Sequence, residues 1–119
     1  MSAGSTVIFF SSTTLVDSAV TPRYLLYNTT KAAIEQMAKV LAKDFGKQGS
    51  TVNVISPGPT GTELFRMGKS DELIKMFANA NPFGRLGEPE EMADVVGFLA
   101  SRDARWVNGQ NIRVNRGMA

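Results

Sequence analysis

Three short apolar runs, each bounded by polar or turn-forming residues, predict β-strands. The first is rich in β-branched and aromatic residues, the composition of a strand covered on both faces in a parallel sheet. The runs are residues 6–10 (TVIFF), 51–56 (TVNVIS) and 109–115 (GQNIRVN). After the second run we expect Pro57 and Pro59 to end the hydrogen-bonded ladder, and Gly58 and Gly61 to permit unusual backbone angles.

Apolar residues between these runs recur at the spacing of helices. Residues 25–45 predict one long helix, and residues 87–101 predict a second that has Pro89 near its first turn. The apolar positions are Ala32, Ala33, Met37, Val40, Leu41 and Phe45 in the long helix, and Met92, Val95, Val96 and Leu99 in the second. Residues 62–80 predict a helical, lid-like stretch, whereas residues 12–22 have no period and predict a loop. Strand, helix, strand, helices, strand is the order of a right-handed parallel α/β domain.

Composition excludes several kinds of chemistry. The 119 residues include neither cysteine nor histidine, which excludes disulfides, Cys/His metal sites, cysteine nucleophiles and a Ser-His-Asp triad. The net charge of +2 comes from dispersed residues and does not suggest nucleic-acid binding. No apolar run approaches the roughly 20 residues of a membrane span, and no signal peptide is evident. We therefore expect a cytoplasmic protein that binds no metal, nucleic acid or membrane.

Tyr27 and Lys31 stand at the beginning of the long helix, one turn apart. That spacing places their side chains about 6 Å apart on one face. A free phenol has a pKa near 10, and a neighbouring ammonium favours its anion. Such a tyrosine could protonate a carbonyl oxygen that receives a hydride, or deprotonate an alcohol in the reverse direction. The alternative is an ordinary aromatic residue at a helix start, with a lysine that extends along it to solvent.

The neighbouring motifs favour the catalytic alternative. In chain order they are FFSS, YNTTKAA, VNVISPGPTGT, GRLGEPEEMADVVGFLAS and VNGQNIRVNRGM. With them the chain resembles the C-terminal half of a classical short-chain dehydrogenase/reductase, and in detail the fungal 3-oxoacyl reductase-like members. The resemblance implies one partial α/β domain over residues 1–119. It would form the C-terminal part of a Rossmann-like doubly wound parallel sheet, three strands with flanking helices, and lack the first four strands.

The resemblance also implies roles for individual residues. Tyr27 would be the catalytic acid/base, and Lys31 would stabilise its phenolate and hold the nicotinamide ribose. Ser12 would orient the substrate carbonyl, with Ser11 and Thr13 as neighbouring alternatives.

The turn after the second strand would contact the cofactor, which is NADP or NAD, with NADP the guess. Pro57 and Gly58 would let the backbone approach the nicotinamide, and Thr60 and Thr62 would contact the carboxamide or the pyrophosphate. The alternative for this segment is a plain turn. By the same resemblance, residues 63–81 would line the substrate pocket; the alternative is that their apolar side chains pack against the sheet. Glu90, Glu91 and Asp94 belong to the beginning of the second helix, where the helix dipole favours negative charge. We expect that role for them rather than one as catalytic carboxylates.

The glycine-rich turn that receives the cofactor pyrophosphate in this family has no counterpart in the sequence, because none of the 11 glycines are spaced as GxG. The residues that choose between NAD and NADP, and an upstream asparagine of the family, have no counterpart either. We therefore expect a fragment of an NAD(P)-dependent oxidoreductase acting on a small carbonyl or alcohol substrate, inactive on its own. The alternative is a non-catalytic interaction module or pseudogene product. In both cases residues 25–45 are expected to pair with a second copy in a homo-oligomer.

Overall fold

The computed structural model of the protein describes residues 2–15 and 21–119. Its three parallel strands lie in the order β1-β2-β3. The strands are β1 (Thr6–Phe10), β2 (Thr51–Pro57) and β3 (Asn111–Val114). The helices are α1 (Leu25–Gly46), α2 (Glu63–Arg66), α3 (Asp71–Asn79) and α4 (Pro89–Ala100), with short 3-10 turns at Thr13–Leu15, Pro22–Tyr24 and Arg102–Ala104. The prediction of a three-stranded parallel α/β arrangement with flanking helices is confirmed. Residues 16–20 of the predicted loop lie outside the described residues.

Strand β2 continues one residue further than expected, because Pro57 pairs with Val114. The prediction that Pro57 stops the ladder was wrong at this position. The Gly58 N–H donates to the Val114 carbonyl at 3.0 Å, whereas residues 55 and 57 direct their backbone groups towards β1. On the β1 side the last bond is that from the Ser11 N–H to the Ile55 carbonyl, and Pro57 has no N–H with which to continue that ladder. The pairing with β1 therefore ends at Phe10, while the pairing with β3 continues.

The core consists of two apolar layers, one on each face of the sheet. On one face, Ala38 and Ala42 of α1 pack against Val52 and Val54 of β2. On the other face, Leu99 of α4 and Ala104 pack with Ile55, beside half-buried residues of α4 and β3. Strand β2 is thus covered on both faces, whereas β1, whose composition predicted such covering, is only partly buried.

The sheet-facing stripe of α1 differs from the apolar positions counted in the sequence. Leu41 and Phe45 do pack against the core, but Met37 and Val40 are exposed, and the fully buried positions are Ala38 and Ala42. Small alanine side chains allow the helix axis to lie close to the sheet, so the closest contacts fall on alanine rather than on the larger residues.

The lid-like stretch is helical, as predicted, and consists of α2 and α3. Thr62 and Ser70 accept hydrogen bonds from backbone N–H groups of the first turns of α2 and α3. Phe65 and Phe77 join the two helices edge to face, with their ring centroids 5.4 Å apart. In the part of the chain that the structure describes, no helix has both the length and the apolar character needed to cross a membrane.

Candidate active site

The predicted site residues gather at the carboxyl edge of the sheet. The Ser11 N–H donates to the Ile55 carbonyl at 2.8 Å, so the chain leaves β1 beside the last residues of β2. Gly58 follows β2 and Asn115 follows β3 at the same edge. The carboxyl edge is where parallel α/β sheets bind ligands. Helix α1 also begins near this edge, which brings its first turns to the ends of the strands.

Tyr27 and Lys31 lie on the face of α1 that continues the buried stripe of Ala38 and Ala42 towards the helix start. The Lys31 Nζ atom is 5.6 Å from the centroid of the Tyr27 ring. The same ammonium donates to the Phe10 carbonyl at 3.2 Å, which fixes the lysine beside the end of β1. The Tyr27 side chain remains 45% exposed. The predicted juxtaposition of phenol and ammonium on one helical face is therefore present, and the phenol is accessible.

Four consecutive hydroxyl residues, 11–14, follow β1, and the first three point in different directions. Ser11 is buried, and its hydroxyl donates to the Lys31 backbone carbonyl at 3.4 Å. Thr13 is buried as well, and its hydroxyl donates to the Ser56 carbonyl at 3.3 Å. Ser12 is half-buried and makes its hydrogen bonds to Thr14. Of the three hydroxyls, that of Ser12 alone is directed towards the loop and away from the backbone of the sheet and helix.

Ser12 is connected to the first turn of α1 through Thr14 and Asn28. The Ser12 Oγ atom accepts from the Thr14 N–H at 3.2 Å and lies 2.9 Å from the Thr14 Oγ1 atom. The Thr14 Oγ1 atom lies 2.7 Å from Asn28 Oδ1, and Asn28 Nδ2 donates to the Thr14 carbonyl at 3.1 Å. Asn28 directly follows Tyr27, so the loop containing Ser12 is attached next to the tyrosine.

The turn after β2 approaches β3 so closely that residue 58 has no room for a side chain. A Cβ atom on Gly58 would lie 2.9 Å from the Asn115 Cβ atom and 3.2 Å from its Cα atom. The hydroxyl of Thr60 donates to the Gly58 carbonyl at 2.9 Å. The Gly61 N–H donates to the Gly87 carbonyl, and the Gly87 N–H donates to the Pro59 carbonyl. The Thr62 hydroxyl accepts from the Phe65 N–H at 3.1 Å as the cap of α2. The hydroxyls of Thr60 and Thr62 thus stabilise the turn itself.

Asn115 is a residue that the sequence did not single out. It is buried, and its Nδ2 donates to Thr13 Oγ1 at 3.2 Å and to the Ala119 carbonyl at 3.0 Å. Its own carbonyl accepts from Asn81 Nδ2 at 2.9 Å. The amide therefore joins the ends of β1 and β3 to the segment after α3. The available signal was an asparagine directly after a strand, a position that also suits an ordinary turn.

Glu91 links three segments beside this edge. Its carboxylate accepts two hydrogen bonds from Arg85, at 2.8 and 3.2 Å, one from Arg116 and one from the Glu88 N–H. These donors, Arg85 above all, lower the pKa of Glu91 to about 2. The Arg116 guanidinium also lies 4.3 Å from the centroid of the Phe83 ring. In this structure Glu91 caps α4 and holds the segment after β3.

Comparison with known proteins gives consistent matches over the whole chain. The family model described as enoyl-(acyl carrier protein) reductase matches residues 1–119. The chain is 47% identical to the NADPH-dependent aldehyde reductase 2, chloroplastic, of Arabidopsis thaliana, covering 92% of the chain and 40% of that protein. It is 42% identical to the short chain dehydrogenase mdpC of Emericella nidulans, covering 95% of the chain and 46% of that protein.

A solved structure, that of the angucycline C-6 ketoreductase LanV with bound NADP, superposes with a TM-score of 0.86 and 37% sequence identity. The superposition covers 99% of the chain and 45% of LanV. The chain therefore spans less than half the length of each of these three relatives.

Proposed function

The chain belongs to the short-chain dehydrogenase/reductase family, and on that premise we propose that it provides the proton-transfer groups of a nicotinamide-dependent oxidoreductase. The resemblance drawn from the sequence is confirmed by the family match over residues 1–119. The reaction is carbonyl reduction or its reverse, alcohol oxidation. The observation that supports it most directly is the Lys31 ammonium 5.6 Å from the ring of an accessible Tyr27, at the carboxyl edge of a parallel sheet.

Each of three residues has one role in the proposal. The Tyr27 phenol donates its proton to the substrate oxygen during reduction and takes it back during oxidation. The Lys31 ammonium stabilises the phenolate left after donation, because opposite charges attract strongly at this range. The Ser12 hydroxyl donates a hydrogen bond to the same oxygen and orients the carbonyl. Ser11 and Thr13 are less suited, since both are buried and bond to backbone carbonyls.

The nicotinamide cofactor supplies the hydride when bound, and the residues of this chain suit its nicotinamide-ribose end. Lys31 bonds one backbone carbonyl and has further N–H donors for ribose hydroxyls. Gly58 belongs to the turn at the edge where the ring would lie, and its lack of a side chain lets this turn lie against Asn115. Pro57, Thr60 and Thr62 belong to the same turn and are proposed to contact the cofactor. The Thr60 hydroxyl donates its proton within the turn, whereas the Thr62 hydroxyl only accepts there and keeps its proton for the carboxamide or the pyrophosphate.

We favour NADP over NAD as the cofactor. The Arabidopsis relative is named as NADPH-dependent, and LanV was solved with bound NADP. The groups that bind the pyrophosphate would have to come from outside these 119 residues, because the sequence contains no GxG. The substrate class is a small carbonyl compound or alcohol, in keeping with an aldehyde reductase and a ketoreductase among the relatives. A cytoplasmic location stays a prediction.

The test of this proposal uses a completed enzyme, meaning the 119-residue chain joined to the part of the Arabidopsis reductase that lies outside the match. Tyr27→Phe should lower kcat by about 10²- to 10⁴-fold, the usual contribution of general acid–base catalysis, and leave NADPH affinity unchanged. Tyr24→Phe is the matched control, because Tyr24 precedes α1 by one residue. Steady-state kinetics and NADPH titration give both quantities. Undiminished turnover in Tyr27→Phe would refute the role of Tyr27.

Lys31 has two roles in the proposal, so its variant should differ from that of Tyr27. Lys31→Ala should lower kcat and also weaken NADPH binding, because the substitution removes the ribose contact together with the charge. Lys43→Ala, an exposed lysine of the same helix, is the control and should change neither quantity. An unchanged NADPH affinity in Lys31→Ala would contradict the ribose contact.

A second candidate, an interaction module, is supported by an exposed apolar stripe on α1. The stripe consists of Leu26, Ala33, Met37 and Val40, which share the face of α1 that is turned away from the sheet. Leu26 is 77% exposed and Val40 is 59% exposed. We propose that this stripe pairs with the same stripe of a second copy, since an apolar stripe can pack on itself about a two-fold axis. This pairing is compatible with catalysis, because Tyr27 and Lys31 lie on another face.

A further inference from the structure

We propose that Thr14 and Asn28 are positioning residues that hold the Ser12 hydroxyl in one orientation and at a fixed place beside Tyr27. The inference rests on the role proposed above for Ser12. It starts from a short chain of side chains, Ser12 to Thr14 at 2.9 Å and Thr14 to Asn28 at 2.7 Å. All three residues are half-buried at the carboxyl edge of the sheet.

The direction of this chain follows from the amide of Asn28. Asn28 Nδ2 donates to the Thr14 carbonyl at 3.1 Å, which leaves the Oδ1 atom as an acceptor facing Thr14 Oγ1. A threonine hydroxyl has a single proton, and Oδ1 can only accept, so that proton must go to Asn28. Thr14 Oγ1 can then only accept from Ser12. The Ser12 hydroxyl therefore donates to Thr14 when no substrate is present.

A second contact holds the oxygen of Ser12. The Thr14 N–H donates to Ser12 Oγ at 3.2 Å, so one residue binds both the oxygen and the proton of the hydroxyl. On substrate binding, the Ser12 proton needs only to turn from Thr14 Oγ1 to the substrate oxygen, while its own oxygen keeps the backbone N–H. A hydroxyl whose oxygen is already held in place loses less conformational entropy in reaching the reactive arrangement.

The same pair of residues fixes the distance between the two halves of the site. Asn28 follows Tyr27 in the first turn of α1, and it makes two hydrogen bonds to Thr14 in the loop after β1. Without them, the hydrogen bonds between the Ser12 segment and α1 that the described residues contain would be those of Ser11 and Lys31 alone. Thr14 and Asn28 thus act on the reaction through Ser12, without touching the reacting atoms.

The first test measures kcat in the completed enzyme. Thr14→Val keeps the shape of the side chain and removes its hydroxyl. It should lower kcat about three- to tenfold, the worth of the one neutral hydrogen bond to Asn28 that holds the Ser12 loop beside Tyr27. NADPH affinity should not change. Thr14→Ser restores the hydroxyl and should restore kcat. Thr29→Val is the matched control, since the Thr29 hydroxyl bonds only the Leu25 carbonyl of its own helix, at 2.6 Å. Equal losses in Thr14→Val and Thr14→Ser would overturn the proposal.

The second test asks whether Thr14 acts through Ser12. In a Ser12→Ala background, adding Thr14→Val should lower kcat no further, because the group that Thr14 positions is gone. A second loss of the same size would overturn the positioning role and leave the role of Ser12 intact. An undiminished kcat in Ser12→Ala itself would remove Ser12 from the proposed function, and this inference with it, while leaving the Tyr27 experiment unaffected.

A third measurement needs no turnover. In the completed enzyme, Thr14→Val and Asn28→Leu should each lower the thermal unfolding midpoint. The double variant should lose less than the sum of the two, since each removes the same contact. Additive losses would show that the two side chains do not interact and would overturn the proposal whether or not the completed enzyme is active.

Discussion

Single amide and hydroxyl side chains, more than apolar ones, determine the shape of the carboxyl edge of the sheet. Asn115 joins Thr13, Asn81 and the Ala119 carbonyl, and Thr13 in turn bonds the last residues of β2. No buried side-chain nitrogen or oxygen of the described residues lacks a partner. Buried polar groups are stable only when they are paired, so each of these bonds constrains the position of its neighbours. The candidate site is therefore supported by a hydrogen-bond network that fixes the positions of the strand ends.

At the same scale, the carboxylate of Glu91 predicts acid sensitivity. Its pKa is lowered to about 2 from 4.5, chiefly by Arg85, so the folded chain binds this proton more weakly than the unfolded chain. The stabilisation is complete above about pH 4.5 and is lost as the pH falls towards about 2. We expect the thermal unfolding midpoint to decrease as the pH is lowered through that range, and to decrease less steeply in Glu91→Gln.

The matched control for Glu91 is Glu90→Gln, an exposed glutamate one residue earlier in the same turn. In Glu90→Gln the thermal unfolding midpoint should depend on pH as steeply as in the wild type. Thermal scans from about pH 6 to about pH 3 in low salt measure the effect, because added salt screens charge pairs that are partly exposed. The same slope in Glu91→Gln and in the wild type would exclude Glu91 as the source of the acid sensitivity.

Among the elements, the sequence predicted what depends on local pattern and missed what depends on partners. The bounds of β1 and the extent of α1 follow from apolar runs and periodicity, and both agree with the structure. The buried stripe of α1 could not be predicted from hydrophobicity, because it is formed by Ala38 and Ala42, while the more apolar Met37 and Val40 are exposed. The distance between the α1 axis and the sheet decides which residues are buried, and this distance cannot be deduced from a single sequence.

The candidate site divides in the same way. The Tyr27/Lys31 pair was predictable because helical spacing alone places the two residues together. The contacts of Asn28 with Thr14, and of Asn115 with Thr13, join residues distant in sequence, and nothing in the local pattern identifies them. The extension of β2 to Pro57 was missed for a similar reason, because it depends on the pairing with β3, which does not use an N–H of Pro57.

The exposed stripe of α1 gives a prediction about assembly. Val40→Glu places a charge in the middle of the proposed pairing face and should lower the association state of the completed enzyme, because a buried unpaired carboxylate is costly. Lys39→Glu is the control, since Lys39 is exposed on another face of the same helix. Sedimentation velocity measures both variants. An unchanged association state in Val40→Glu would exclude the stripe as the pairing surface.

As a whole, the molecule has more surface than a stable domain of its size. Its accessible area is 7790 Å², against about 6300 Å² expected for a folded monomer of this mass. Its radius of gyration is 15.5 Å, against about 13.5 Å for a compact chain of this length. Both differences indicate that little apolar surface is buried per residue, and they agree with a core limited to one layer on each face of β2.

The surplus surface includes a strand edge. Strand β1 lies at the outside of the sheet formed by the described residues, and Phe10 at its end is 44% exposed. Its sequence is apolar on both faces, the composition of an interior strand. An unpaired edge of this composition is a template for pairing with other chains. The exposed stripe on α1 adds a second apolar surface to the same molecule.

We therefore expect the 119-residue chain alone to be marginally stable, to self-associate and to bind NADPH and NADH negligibly. Negligible binding follows because, in the proposed function, Lys31 and the Gly58 turn contact the nicotinamide end alone, and half a set of contacts does not offset the entropy lost on association. Calorimetric titration with each cofactor, together with light scattering over a range of protein concentrations, measures all three properties. The completed enzyme is the positive control for the titration. A monodisperse monomer that binds NADPH at micromolar concentration would contradict this expectation, because the pyrophosphate would then be held by groups other than a glycine-rich turn.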